Sequence, residues 1–179
     1  MAASVGRDEQ HRLFLGLRLP PAAVEALSRW QAHELRGRIV PPENLHVTLA
    51  FLGRRPASEL PAILDVLERA AADGEPLRFD TTGYRETRSV GMLTLADEAG
   101  AAARLAGRLH HDLEQLGVYR REARPWLPHV TVLRFRERPR LRPEPPTLSW
   151  VSSDAAAFLS RLHPSGARYE VHDSFRLGG

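Results

Sequence analysis

The 179-residue chain contains no cysteine. That single absence excludes disulfides, thiolate metal sites, iron–sulfur clusters and a cysteine nucleophile. Lysine is missing as well, so all 25 basic residues are arginine. Arginine keeps its charge and offers a planar fork suited to phosphate and carboxylate. No run of 18 apolar residues occurs, so no membrane-spanning helix is expected. The N-terminal stretch carries Arg7, Asp8, Glu9 and Arg12 with no apolar region behind them. That argues against a secretory signal and for a cytoplasmic protein. A glycine-rich phosphate loop of the dinucleotide-binding or Walker kind is also absent. What is present is 42 % apolar and 26 % charged residues, enough to build a core. The length fits one domain over residues 1–179, or two small lobes sharing a core.

Patterning along the chain alternates strands with a few helices. Arg12 to Leu19 reads as a strand ended by Pro20-Pro21, which open a helix carrying Ala23, Leu27 and Trp30 on one face and stopping by Gly37. Pro41-Pro42 marks a turn before a strand from Leu45 to Leu52. A second amphipathic helix starts near Ser58, with Leu60, Ile63, Leu64, Leu67 and Ala71 on its stripe. Strands are expected over 77–84 and 90–96, and a helix over 99–116 with Leu105, Leu109, Leu113 and Leu116 inward. A strand over 130–135 follows, then a proline-rich loop over 136–146. Two last strands, 148–162 and 167–177, flank His163-Pro164-Ser165-Gly166, a hairpin turn signal. The pattern favours an α+β fold with antiparallel sheets over a doubly wound parallel one.

One tripeptide occurs twice. Leu45-His46-Val47-Thr48-Leu49 and Pro128-His129-Val130-Thr131-Val132 both sit in strand-like runs. From the composition, His-Val-Thr is expected roughly 0.02 times by chance. On a strand, side chains at i and i+2 share a face. Each copy therefore has an apolar back and a front bearing an imidazole and a hydroxyl. A half-buried strand histidine accounts for one copy but poorly for two. If the two strands lie side by side, a general base, a general acid and two hydroxyl donors converge on one cleft, with no metal. Hydrolysis of a phosphodiester needs that set: a base for water, an acid for the leaving oxygen, and donors for the other oxygens.

The duplicated His-x-Thr resembles the 2H phosphoesterase superfamily, and within it the bacterial and archaeal RNA 2′,3′-cyclic phosphodiesterases, historically called 2′-5′ RNA ligases. Other segments support the resemblance: Arg12-Leu13-Phe14 with Pro20, Pro42-Glu43-Asn44 running into the first motif and on to Gly53, Pro128 to Arg134, and a tail with Ser160, Leu162, Gly166, Tyr169, Phe175 and Leu177. It implies a bilobal, pseudo-twofold α+β fold in which two antiparallel sheets line a central cleft with helices outside. It implies opening of a terminal RNA 2′,3′-cyclic phosphate to a 2′-phosphate without a cofactor or metal, and 2′-5′ ligation in reverse. Carried over by position, His46 and His129 are the acid–base pair, and Thr48, Thr131 and Arg134 bind the phosphate. The family pattern makes His46 the acid and His129 the base; the residues themselves leave those two roles open. Strict alternation puts Arg134, five residues after His129, on the wrong face, so a bulge, the strand's end or the length of the side chain must bring it to the phosphate. Phe51 matches a family aromatic and suits either core packing or base stacking. The chain departs from the pattern with Trp126-Leu127 before Pro128-His129, and with Met92, Leu93 and Thr94 where an aromatic is common.

Two other readings compete. His110-His111-Asp112 has the look of a metal-phosphohydrolase dyad, but one helix cannot supply the remaining ligands, and a solvated helix face is the expectation. A non-catalytic nucleotide- or RNA-binding module would not need two intact His-x-Thr sets. Among enzymes, the runner-up substrate is a small cyclic nucleotide. Eight arginines between Arg120 and Arg142, opposed only by Glu122 and Glu137, give that segment +6 and tilt the expectation towards an RNA end. A monomer is expected.

Overall fold

The computed structural model describes residues 9–179; the N-terminal residues read above for a signal lie outside them, apart from Glu9 to Arg12. The elements run β1 (Gln10–Arg18), α1 (Pro21–Glu34), β2 (Arg38–Ile39), β3 (His46–Pro56), α2 (Leu60–Ala72), β4 (Leu77–Glu86), β5 (Val90–Ala96), α3 (Ala101–Gln115), β6 (His129–Arg134), β7 (Ser149–Ser152), β8 (Asp154–His163) and β9 (Gly166–Arg176). The α+β expectation holds, and the strands pair antiparallel throughout.

The strand order is β7-β4-β5-β6-β3-β1-β8-β9, with β2 on β6. It falls into two halves, β3-β1-β8-β9 and β6-β5-β4-β7, whose adjoining end strands, β3 and β6, carry the two His-x-Thr copies. The halves meet at a single residue pair, Val47 with Val130. Beyond that pair β3 and β6 part, so the two expected sheets are one curled sheet with a seam.

Two of the three helices, α1 and α3, cross the seam. Helix α1 leaves β1 of the first half, yet its Trp30 ring lies 6.4 Å from Tyr84 of β4, and its Gln31 bonds β6. Helix α3 leaves β5 of the second half, yet its His110 bonds β3. In α2, Ile63, Val66, Leu67, Ala70 and Ala71 form the buried stripe, and in α3 Ala102, Leu105, Ala106, Leu109 and Leu113 do so. One continuous core lies between these helices and the apolar back of the sheet.

Three expectations need correction. The run 148–162 is not one strand: β7 pairs with β4 and β8 with β1, so the chain changes halves at Ser153. Leu116, expected inward, is 39 % exposed, because the helix has ended and the chain turns at Gly117, φ +78°. His110, expected on a solvated face, is 6 % exposed, at the next position of the buried stripe after Leu109.

Candidate active site

Both His-x-Thr copies begin the strands that meet at the seam. Val47 and Val130 are the paired residues, so 46 and 48 flank the pair on β3 with 131 and 129 on the corresponding sides of β6. Val47 and Val130 are fully buried on the back, while His46, Thr48, His129 and Thr131 are half-buried on the front. The structure thus brings the four predicted groups together around one residue pair.

The two imidazoles are held alike. His46 donates from Nδ1 to the carbonyl of Asn44 at 2.7 Å, and His129 from Nδ1 to the carbonyl of Leu127 at 2.8 Å. Each uses the carbonyl two residues upstream. A proton fixed on Nδ1 leaves Nε2 of a neutral ring as the free acceptor. Nε2 of His46 accepts from the Thr48 hydroxyl at 2.9 Å. Asn44 is itself buried in a 3-10 turn (Pro42–Asn44), where its side chain bonds both the Ala167 carbonyl and the Tyr169 amide of the final hairpin.

An aromatic box surrounds His46. The Phe14 ring lies 4.6 Å away, Tyr169 5.4 Å edge-on, and Phe158 5.6 Å. Gly16 lies opposite Thr48 in this box; a Cβ there would stand 2.9 Å from the Val47 carbonyl and 3.5 Å from the His46 ring. Such burial disfavours the charged ring, and the charges of His129 and Arg134 add to it against the Asn44 bond, so His46 is pushed down to about 4.

That shift predicts a pH dependence of stability. The unfolded imidazole titrates near 6.5, so between about 4 and 6.5 the unfolded chain holds a proton that the folded one refuses. Stability falls as pH drops through this window, by up to about 3 kcal/mol from this group. Urea unfolding at about pH 7 and about pH 4.5 should show a larger loss for wild type than for His46→Gln. Equal losses would show that His46 is not held neutral by the fold.

Arg134 reaches the front because β6 carries a bulge: Met92 pairs with Thr131 and Gly91 with Leu133, leaving Val132 without a partner in β5. The extra residue resets the alternation. Of the three routes that the sequence left open for Arg134, the bulge is the one present. Its guanidinium donates across the seam to the Tyr169 hydroxyl at 3.2 Å. The first strand does the same, with Leu49 skipped between Thr48 and Ala50, and Phe51 takes the position that Arg134 holds in β6. Residues 46–51 and 129–134 share one sequence of burial: half-buried, buried, half-buried, buried, buried, exposed. Phe51 is 51 % exposed, with the Arg12 guanidinium 5.4 Å above its ring, so it is a surface aromatic and not part of the core.

Asn44, Phe158 and Gln31 carry much of this geometry; Asn44 stands in the sequence only as part of the run leading into the first motif, and no motif singles out Phe158 or Gln31. Among the described residues, no group of three or more His, Cys, Asp or Glu is placed to hold a metal ion.

Residues 19–163 match the model of the 2′-5′ RNA ligase superfamily. The chain belongs to that superfamily. It is 35 % identical to an RNA 2′,3′-cyclic phosphodiesterase of Thermus thermophilus, over 94 % of this chain and 91 % of that one. With an RNA 2′,3′-cyclic phosphodiesterase of Escherichia coli it shares 31 % identity, over 80 % of this chain and 82 % of that one. The fold superposes on the crystal structure of Escherichia coli LigT complexed with 3′-AMP with a TM-score of 0.85 at 25 % identity, covering 96 % and 100 % of the two chains.

Proposed function

We propose that this member of the superfamily hydrolyses the 2′,3′-cyclic phosphate at an RNA end to a 2′-phosphate, with His46 and His129 as its acid–base pair. The observation that carries the reading is the seam: two imidazoles, each with Nδ1 tied to a backbone carbonyl so that Nε2 is the acceptor, beside two hydroxyls on one face, one of which donates to Nε2 of His46. The names of its relatives support the same reaction. One imidazole takes a proton from water as its oxygen bonds to phosphorus. The P–O3′ bond breaks, and the other imidazole gives its proton to O3′. Thr48, Thr131 and Arg134 are donors for the remaining oxygens. In the free site His46 is neutral. The family assignment of His46 as the acid therefore requires the substrate anion, which offsets the charge of Arg134, to load its proton. With an RNA 5′-hydroxyl in place of water, the same groups would form a 2′-5′ linkage.

The test is an oligoribonucleotide ending in a 2′,3′-cyclic phosphate, incubated in EDTA. We expect full turnover and a 2′-phosphate product. Loss of activity in EDTA that is restored by zinc or manganese, or a 3′-phosphate product, would overturn the reading.

RNA over a small nucleotide is favoured by the arginine-rich segment, and the structure narrows where that matters. Arg121 and Arg124 are paired with Glu114 and Glu122, and Arg138 with buried Glu86. Arg140 and Arg142 have no ion pair among the described residues. With Arg85 and Arg138 they line a cavity of about 430 Å³ beside β4. Thr131, Met92 and Arg85 form one row across β6, β5 and β4, leading from the seam towards that cavity. A strand running from the cleft over this row meets the free arginines. The KM for an oligonucleotide should therefore rise steeply with salt, and that for a cyclic mononucleotide little. Arg140→Ala and Arg142→Ala should each flatten the oligonucleotide slope by about one. Equal slopes for both substrates in wild type would make the cluster a solvated surface.

A further inference from the structure

Two buried polar side chains face the seam from behind, and the reaction scheme uses neither. Gln31 of α1 is 1 % exposed, and its Nε2 donates to the Val132 carbonyl at 2.9 Å and to the Val40 carbonyl at 3.0 Å. His110 of α3 donates from Nε2 to the Leu49 carbonyl at 2.7 Å. Val132 is three residues after His129, and Leu49 is three residues after His46. Both are residues that the ladders skip just past the His-x-Thr copies.

A bulged residue forgoes its ladder partner, and a buried carbonyl without a donor is costly. Each bulge therefore needs a donor from outside its ladder. Each receives one from the helix that precedes the other seam strand: α1 leads through β2 into β3 but serves β6, and α3 leads into β6 but serves β3. The Val132 carbonyl also accepts from the Val40 amide at 3.1 Å, and the Thr48 carbonyl beside Leu49 accepts from Nε1 of Trp126 at 3.0 Å, so each bulge has a second donor close by.

The bulges decide what faces the substrate. Without them, alternation would turn Phe51 and Arg134 to the back of the sheet and reset the strands just past Thr48 and Thr131. We propose that Gln31 and His110 are positioning residues, each holding the bulge that aligns the His-x-Thr strand of the opposite half. The inference rests on the reading of His46 and His129 as the acid–base pair.

The experiment compares His110→Phe, which keeps a ring beside Tyr119 but removes the donor, with His110→Gln, which installs the residue type that the other half already uses. For His110→Phe we expect kcat to fall on the order of 10²-fold, as a misplacement of about 1 Å can do, with KM little changed. His110→Gln should recover most of it. Imidazole resonances give a readout that is independent of activity: His110→Phe should displace the His46 signals and leave those of His129, while Gln31→Leu should do the reverse. Three results would overturn the proposal: wild-type kcat in folded His110→Phe, equal losses in the Phe and Gln variants, or displacement of both histidines by either substitution. If His110→Phe does not fold, Gln31→Leu and the His129 signals carry the test alone. If His46→Ala is active while the crossed displacements are seen, the catalytic reading fails and the positioning stands.

Discussion

His46→Ala and His129→Ala should each abolish turnover of an RNA 2′,3′-cyclic phosphate while leaving the protein folded. Each removes one partner of a proton-transfer pair, and such a partner contributes about 10²–10⁴-fold. Removing the half-buried His46 ring leaves a gap against Phe14 but no severed buried ion pair, so loss of fold is not expected. The double variant should be little worse than either single one, because groups that act as a unit do not lose rate additively. Thr48→Ala and Thr131→Ala should cost less, as each deletes one donor and spares the pair. The wild-type rate should follow a bell in pH, with a limb from each imidazole, and each His→Ala variant should lose one limb from whatever rate remains. Near wild-type turnover in either single variant would end the two-histidine mechanism and reopen the binding-module reading.

The front of the site was legible because it obeys the shortest rule in a strand, the alternation of faces. His46, Thr48, His129 and Thr131 stand where i, i+2 spacing puts them. The rule fails three residues on, at Leu49 and Val132, and nothing in those residues marks the failure: both are buried aliphatic residues in apolar runs. Arg134 was the one signal, a residue of recognisable purpose on the wrong parity. It pointed to an irregularity without saying where. Gln31 and His110 were illegible for a related reason. A polar residue within a helical stripe reads as a break in the stripe, and only the crossing of α1 and α3 over the seam supplies the carbonyls that make it a buried donor. Helical periodicity located the core helices but could not say which half each one covers. The switch of halves at Ser153 was hidden similarly, because a strand that changes partners keeps its apolar pattern.

Phe14→Ala should have the largest effect on stability and should change His46 as well. The ring is 2 % exposed and packs against Phe158 at 4.8 Å, Tyr169 at 4.9 Å and His46 at 4.6 Å. Deleting a buried phenyl costs about 3–5 kcal/mol, from lost transfer energy and the cavity left behind. This cavity would border the half-buried cleft face, where water can enter, so the loss should fall at the lower end. Water beside His46 relieves the desolvation that is the chief cause of its lowered pKa, so the imidazole should titrate above about 4, towards its ordinary 6.5. Stability at neutral pH and acid sensitivity should then both fall. The variant is weaker near pH 7, but it loses less on going to about pH 4.5, because folded and unfolded states now bind the His46 proton over a more similar range. Urea unfolding at the two pH values measures the first effect, and the His46 titration followed by NMR measures the second. A destabilised Phe14→Ala protein whose His46 still titrates near 4 would show that Phe14 supports the fold without setting the charge state of the site.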